Sequence, residues 1–216
     1  MRCPFFRGKI KPLARGYIHL IAFFFTLCAC TVLIIYSKGN YALFASVIYS
    51  VSLIGQYGVS ALYHTRMWSR QKYLLLRRID HGAIFAFIAG SATPICLLRL
   101  KNGSGLQLLF ILWLVALIGV FVTTIWPHVP KWARSLLYVA MGWIGVLYFP
   151  EIKSSLDTTS IQLLILGGAT YTLGAMIYAF KWPDPFPSVF GYHEVFHVLV
   201  VLGSIFHFCL NYNIST

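Results

Sequence analysis

The sequence predicts an all-α, polytopic membrane protein, a single bundle of seven transmembrane helices occupying residues 1–216. Composition and length carry this expectation. Of the 216 residues 59% are hydrophobic and only 10% are charged, whereas an ordinary soluble domain carries about 25% charged residues. With a mean hydropathy of +0.76, the chain is too poor in polar side chains to cover a water-facing surface, so its apolar excess must meet lipid. Each crossing needs about 20 apolar residues and each loop a few more, which fills this length with about seven helices. No room is left for an appended soluble catalytic domain.

Apolar runs set against punctuating residues give the spans in order: Tyr17 to Tyr36, Ala42 to Tyr63, Ile79 to Leu98, Leu106 to Trp126, Trp132 to Phe149, Ile161 to Phe180 and Val189 to Leu210. The first follows a basic head and faintly resembles a signal peptide with a cleavage box at Leu27-Cys28-Ala29-Cys30. Its length of about 20 residues exceeds a typical signal core, so a retained helix is expected. The third span carries Gly82, Ala86 and Gly90 at four-residue spacing, a face that admits a neighbouring helix closely, and Pro94 should kink its far end. Trp68, Trp126, Trp132 and Trp182 fall at span edges, as interfacial anchors do. Three prolines between Trp182 and Pro187 make a stiff, non-helical connection before the seventh span. The five cysteines, Cys3, Cys28, Cys30, Cys96 and Cys209, are odd in number and lie mostly in apolar runs, so no disulfide framework is expected. Cys28 and Cys30 would point about 200° apart on a helix, which argues against a metal pair.

The formal net charge of +12 arises from 17 Lys and Arg against 5 Asp and Glu. In a soluble protein this would raise nucleic-acid binding, but here the charges sit between apolar runs, where they set orientation and attract anionic headgroups. Nucleic acid is therefore not an expected partner. Thirteen of the basic residues fall before the first span and in the alternate loops that share its side, and four fall on the other. That asymmetry predicts a cytoplasmic N-terminus and an external C-terminus.

Ionisable residues inside apolar spans are costly and usually face a cavity or one another. His64 ends the second span with Ser60 one turn before it, Asp80 begins the third span just after Arg77 and Arg78, and His193 and His197 open the seventh, four residues apart on one face. The derived orientation puts all of these at the cytoplasmic boundary. Three imidazoles and a carboxylate can therefore converge, and three histidines with one open tetrahedral position form the ligand set of a catalytic zinc site. Against this, a single histidine near a span end is more often a hydrogen-bonded interfacial residue than a ligand. His81 faces about 100° from Asp80 and is expected to bond a neighbour rather than a metal. His19, His128 and His207 are expected at the inner interface, in a loop and near the outer end, and none is expected to ligate.

Three blocks then resemble a known family. Ser60-Ala61-Leu62-Tyr63-His64, Arg78-Ile79-Asp80-His81 leading into Ile88-Ala89-Gly90-Ser91-Ala92-Thr93-Pro94, and Gly191-Tyr192-His193-Glu194-Val195-Phe196-His197 look like the motifs of the hemolysin III family. That family groups with progestin and adiponectin receptors and, more distantly, with alkaline ceramidases. Ser91-Ala92-Thr93-Pro94 stands where bacterial members often have Thr-Tyr-Thr-Pro, a departure that touches no proposed ligand. The resemblance spans nearly the whole chain and implies that His64, His193 and His197 bind Zn2+. It further implies that Asp80 holds the zinc-bound water, that Ser60 belongs to the same polar cluster, and that the chain resides in a bacterial inner (plasma) membrane.

The expected function is a zinc-dependent hydrolase of lipid amide or ester bonds, or a membrane-lipid homeostasis protein, with Asp80 orienting the water and taking its proton and Ser60 supporting the cluster. Membrane lipids are the expected partners and substrates, and no protein partner is legible. Three alternatives stand beside it. The hemolysin name suggests a pore, although the spans offer few ionisable residues away from the cluster. A receptor-like sensor would use the zinc structurally. His193 to His197 also spells H-E-x-x-H, the zinc-protease signature in which Glu194 would be the general base. Its only downstream third ligand, His207, lies about 15 Å further along the helix, out of reach.

The charge asymmetry generates a direct expectation: reporter fusions at the C-terminus should be active only with an externally functioning reporter. A C-terminal reporter active only in the cytoplasm would reverse the assigned orientation.

Overall fold

A computed structural model of the chain describes Pro12, residues 14–101, 103–126 and 128–216. Cys3 and four of the basic residues counted before the first span, Arg2, Arg7, Lys9 and Lys11, lie outside the described residues. All the long elements are helices: α1 (Tyr17–Tyr36), α2 (Asn40–Thr65), α3 (Arg70–Leu98), α4 (Ser104–Ile125), α5 (Lys131–Gly142), α6 (Phe149–Ser155), α7 (Thr158–Phe180) and α8 (Tyr192–Ser215). A 3-10 segment, Ile144–Tyr148, joins α5 to α6, and this run makes one crossing. Among the described residues seven segments are thus long and apolar enough to cross a membrane, which makes the chain a multi-pass integral membrane protein.

Three predicted boundaries shift. The third helix starts at Arg70 rather than Ile79, so Asp80 does not begin it but sits nearly three turns inside. Lipid-based span reading counts only apolar residues, whereas Arg70 to Arg78 continue the helix as a basic extension. The fifth span does not run unbroken to Phe149: it loosens after Gly142 and restarts with Pro150 in the first turn of α6, because two glycines and a proline supply little helical preference there. The seventh begins at Tyr192, after Gly191, and extends to Ser215.

Sequence neighbours α1 to α4 pack as a meander, and α7 packs along α8. The last helix closes the bundle by touching α1, α2 and α3 as well, while α5 bridges α3 and α7. One core joins Phe85, Ala89, Leu108, Leu112, Met141 and Leu210, and a second joins Cys30, Leu33, Tyr49, Leu53, Tyr57 and Phe87. The small-residue face of α3 serves two neighbours rather than one: Gly82 meets Val120 of α4, and Gly90 lies against Ser52 of α2. Large apolar side chains such as Phe25, Phe110 and Phe121 remain on the outside, as a lipid-facing surface requires.

Local chemistry fixes the helix ends near one pole of the bundle. Gly191 N donates to Glu194 Oε2 at 2.8 Å and Tyr192 N donates to Asp184 Oδ1 at 2.8 Å, which satisfies exposed amides at the start of α8. Ala14 N donates to Val189 O at 3.0 Å, tying the approach to α1 beside them. At the opposite pole Asp157 caps α7, and bonds from Ser160 hold its carboxyl below the usual range.

Gly16 precedes α1 with φ of +88°, and a Cβ there would lie 2.8 Å from the His64 carbonyl carbon. Gly16→Ala combines a left-handed strain with a backbone clash and should destabilise the protein by about 2–3 kcal/mol, measured by denaturant unfolding in detergent. An unchanged unfolding midpoint would show that this junction is looser than the packing requires.

Candidate metal centre

The end of α2 and the start of α8 meet at one pole of the bundle. Ser60 and His64 share a face of α2, and His193 and His197 share a face of α8, each pair by one helical turn. Their ring centroids are close: His64 to His193 is 4.9 Å, His64 to His197 is 5.2 Å, and His193 to His197 is 4.5 Å. One ring nitrogen from each lies within 4.8 Å of the others, and all three residues are buried. These three histidines could hold one metal ion. Asp80 joins from α3, with Oδ2 3.7 Å from His64 Nε2 and within reach of the Ser60 hydroxyl. All five predicted site residues are thus brought together.

The donor set fits a borderline-soft divalent ion, since imidazole nitrogens bind zinc well. Two buried atoms strengthen that fit. His193 Nε2 and His197 Nδ1 have no hydrogen-bond partner among the described residues, and a buried nitrogen left unpaired is unfavourable unless something else meets it.

Neighbouring rings fix the imidazole planes. His19 of α1 stacks on His197, with centroids 3.8 Å apart and an interplanar angle of 9°, and its Nδ1 lies 2.8 Å from Ser60 Oγ. Tyr178 presents its edge to His193 at 5.4 Å, and Tyr63 packs on His64 at 4.4 Å. His19 was expected at the inner interface and not as a ligand. Its support of both Ser60 and His197 follows from the α1–α8 contact, which no spacing within α1 encodes.

Glu194 turns away from the histidines. Its Oε1 accepts from Arg15 Nε, its Oε2 lies 3.4 Å from Arg15 Nη2 and accepts the Gly191 amide, and the residue is fully buried. A carboxylate committed to a guanidinium and a helix start is a structural counter-ion, so the H-E-x-x-H spacing arises here without a base aimed between its histidines. His81 bonds a neighbour as expected: Arg134 Nη1 donates to its ring, and Tyr138 Oη donates to its carbonyl at 3.0 Å. His207 lies half-buried against Tyr171, distant from the cluster along α8.

The cluster opens into a cavity of about 930 Å3. Along α3 the lining runs from Tyr73 to Cys96, roughly 35 Å of helix rise. Its far part is walled by Leu108, Leu112, Ile152 and Leu164, so a polar pole continues into an apolar channel between helices.

Comparison with known proteins gives a consistent family. Residues 7–208 match the family described as Haemolysin-III related. The chain is 31% identical over 198 residues to the "Hemolysin-3 homolog" of Bacillus subtilis (strain 168), covering 90% of this chain and 89% of that one. It is 29% identical over 205 residues to "Hemolysin-3" of Bacillus cereus, covering 93% and 90%. The "Adiponectin receptor protein" of Drosophila melanogaster is 27% identical over 171 residues, covering 70% of this chain and 38% of that one. No solved structure matches the chain significantly.

The geometry separates the metal cluster from Glu194. Glu194→Gln should leave metal content unchanged while lowering stability by about 3 kcal/mol, because Arg15 loses its buried partner. Metal analysis and denaturant unfolding of the same preparation check both halves; loss of the metal with full stability would assign Glu194 to the centre instead.

Proposed function

The chain belongs to the haemolysin-III related family, and from that membership and the geometry of its buried cluster we propose that it is a zinc-dependent hydrolase of lipid amide or ester bonds, contributing to membrane-lipid homeostasis. The observation that carries this reading is the opening of three convergent buried histidines into a long, largely apolar cavity. A soluble substrate has no use for such a channel, whereas a lipid places its acyl chain along Leu108, Leu112 and Leu164 and its polar linkage beside the histidines.

His64, His193 and His197 would hold the zinc as neutral imidazoles. When bound there, zinc supplies Lewis acidity toward a carbonyl and lowers the pKa of water toward 7. Asp80 supplies the proton acceptor beside His64, and its carboxylate is positioned by Ser60 on the neighbouring helix. His19 keeps the Ser60 hydroxyl and the His197 ring in register, so that the proton-handling side and the ligand side stay aligned. Arg15 and Glu194 close the pole against α8.

Two other readings have less support. A pore needs a polar stripe through the bundle, but the far part of the cavity is apolar. A protease of the H-E-x-x-H type needs a base at the second position, and Glu194 is occupied by Arg15. In this proposal the histidine pole lies at the cytoplasmic face of a bacterial inner membrane, a reading the excess of basic residues in the loops on that side supports.

Single alanine substitutions of His64, His193 and His197 should each strongly reduce the zinc content of the purified protein. Asp80→Asn should keep zinc, weakened by no more than about 10- to 100-fold in affinity, yet release no fatty acid from a mixed lipid extract followed by mass spectrometry. Fatty-acid release that survives Asp80→Asn removes Asp80 from the proton-transfer role. No release by the zinc-loaded wild type from ceramides or glycerolipids sinks the hydrolase reading.

A further inference from the structure

Beside the histidines the same cavity is lined by two basic residues of α5 that lack an acidic partner. Arg134 is only 4% exposed. Its Nη2 donates to Val129 O at 3.0 Å, its Nη1 faces His81, and its Nε has no partner among the described residues. An imidazole that accepts from a guanidinium is itself uncharged, so none of these contacts neutralises the Arg134 charge. Lys131, one turn earlier, donates to Tyr192 Oη at 2.7 Å and lies over the Tyr178 and Tyr192 rings at 4.7 Å and 5.0 Å. Arg66 and Arg77 line the same mouth.

The chain's five acids are all assigned elsewhere. Glu194 pairs with Arg15, Asp80 lies against His64, Asp184 accepts the Tyr192 amide, and Asp157 caps α7 at the opposite pole. Glu151 begins α6, also at the opposite pole. Asp80 reaches Arg134 only through its longer-range field. Among the described residues no carboxylate lies within ion-pair distance of Lys131 or Arg134. Orientation in the membrane explains basic residues on loop surfaces. It does not explain a guanidinium buried inside a cavity, where an unmatched charge is costly. Arg15 is the internal control: only half-buried at the same pole, it is nevertheless given Glu194.

We propose that Lys131 and Arg134 seat the phosphate of a lipid headgroup, so that the lipid taken by this site is a phosphate-bearing one. The proposal rests on the hydrolase reading of the His64, His193 and His197 cluster and adds the substrate class. Spacing favours a headgroup phosphate over the carboxylate of a released fatty acid. The Tyr178 ring lies 4.7 Å from Lys131 Nζ and its centroid lies 5.4 Å from that of His193, so cation and imidazole are neighbours across a single ring. A fatty acid has its only charge at the carbon the histidines would handle. A phospholipid instead has a neutral ester linkage and carries its charge on a phosphate a glycerol backbone away, with its acyl chain free to follow the apolar channel. Arg and Lys both suit phosphate, Arg by paired donors and Lys as a point charge.

Binding of three probes to the zinc-loaded full chain in neutral maltoside detergent tests this: 1-oleoyl lysophosphatidic acid, 1-monooleoylglycerol, which differs only by lacking the phosphate, and inorganic phosphate. The wild type should bind lysophosphatidic acid about tenfold or more tightly than monooleoylglycerol or inorganic phosphate. Arg134→Gln should bring the two lipids to near-equal affinity with zinc content unchanged, Arg134→Lys should restore part of the preference, and Lys131→Met should reduce it. If Arg134→Gln fails to fold, the ratio is read from Arg134→Lys and Lys131→Met. Equal affinity of the wild type for both lipids, or a preference that persists in Arg134→Gln and Lys131→Met, overturns the proposal. Inorganic phosphate binding as tightly as the lysolipid overturns the lipid headgroup as the source of the anion. An Arg134-dependent preference in a protein that holds no zinc and hydrolyses nothing would uphold the phosphate seat and fail the hydrolase reading alone.

Discussion

A ring nitrogen buried in an apolar bundle has no water to turn to, and the His193 and His197 nitrogens that reach the interior find no protein partner among the described residues. The construction of this pole follows from that constraint. One helix ends and another begins at the same depth, so that His64 enters from α2 while His193 and His197 enter from α8. The stack of His19 on His197 and the edge of Tyr178 on His193 then fix the ring planes. Neither helix end could sit there without satisfaction of its own backbone. Glu194 and Asp184 meet the first amides of α8, and Gly16, with its positive φ, lets the chain entering α1 pass directly over the His64 backbone.

Charge is handled differently on the two sides of the cluster. On one side the Arg15 guanidinium is neutralised by Glu194, which locks the approach to α1 onto α8. On the other, Arg134 and Lys131 line the cavity with no carboxylate of the described residues in ion-pair distance. A bundle with five acids and seventeen basic residues must leave most cations to solvent or headgroups, but leaving one inside is a specific arrangement. Beyond the polar pole the cavity is apolar, and the break after Gly142 lets α5, the 3-10 segment and α6 wall it without forming one straight rod. On the proposed reading, headgroup, scissile linkage and acyl chain each meet a matching part of one continuous space.

Much of this was legible in the residues. Seven apolar runs give the crossings because lipid imposes a minimum length on each, and His64, Asp80, His193 and His197 stand out because ionisable groups are rare in such runs. Their common depth follows from alternating span direction alone. The start of α3 was not legible, since a basic helical extension beyond the membrane obeys no hydropathy rule and Asp80 consequently looked like a first-turn residue. The broken fifth crossing is not legible because Gly142, Gly145 and Pro150 weaken helical preference without lowering hydropathy enough to end the run. The roles of His19, Glu194 and Arg134 depend on which side chain lies opposite across α1–α8 and α3–α5 contacts. Spacing within one helix carries no record of that, and Glu194, read from its motif alone, points to the wrong chemistry.

The most direct measurement of the central claim is zinc K-edge X-ray absorption on the purified full chain. A centre built from His64, His193 and His197 predicts one zinc per chain with three imidazole nitrogens at about 2.0–2.1 Å and one further light-atom ligand. It also predicts a four-coordinate edge that loses its imidazole scattering in His193→Ala. A sulfur scatterer, an all-oxygen six-coordinate shell, or a protein that takes up no zinc would contradict the account.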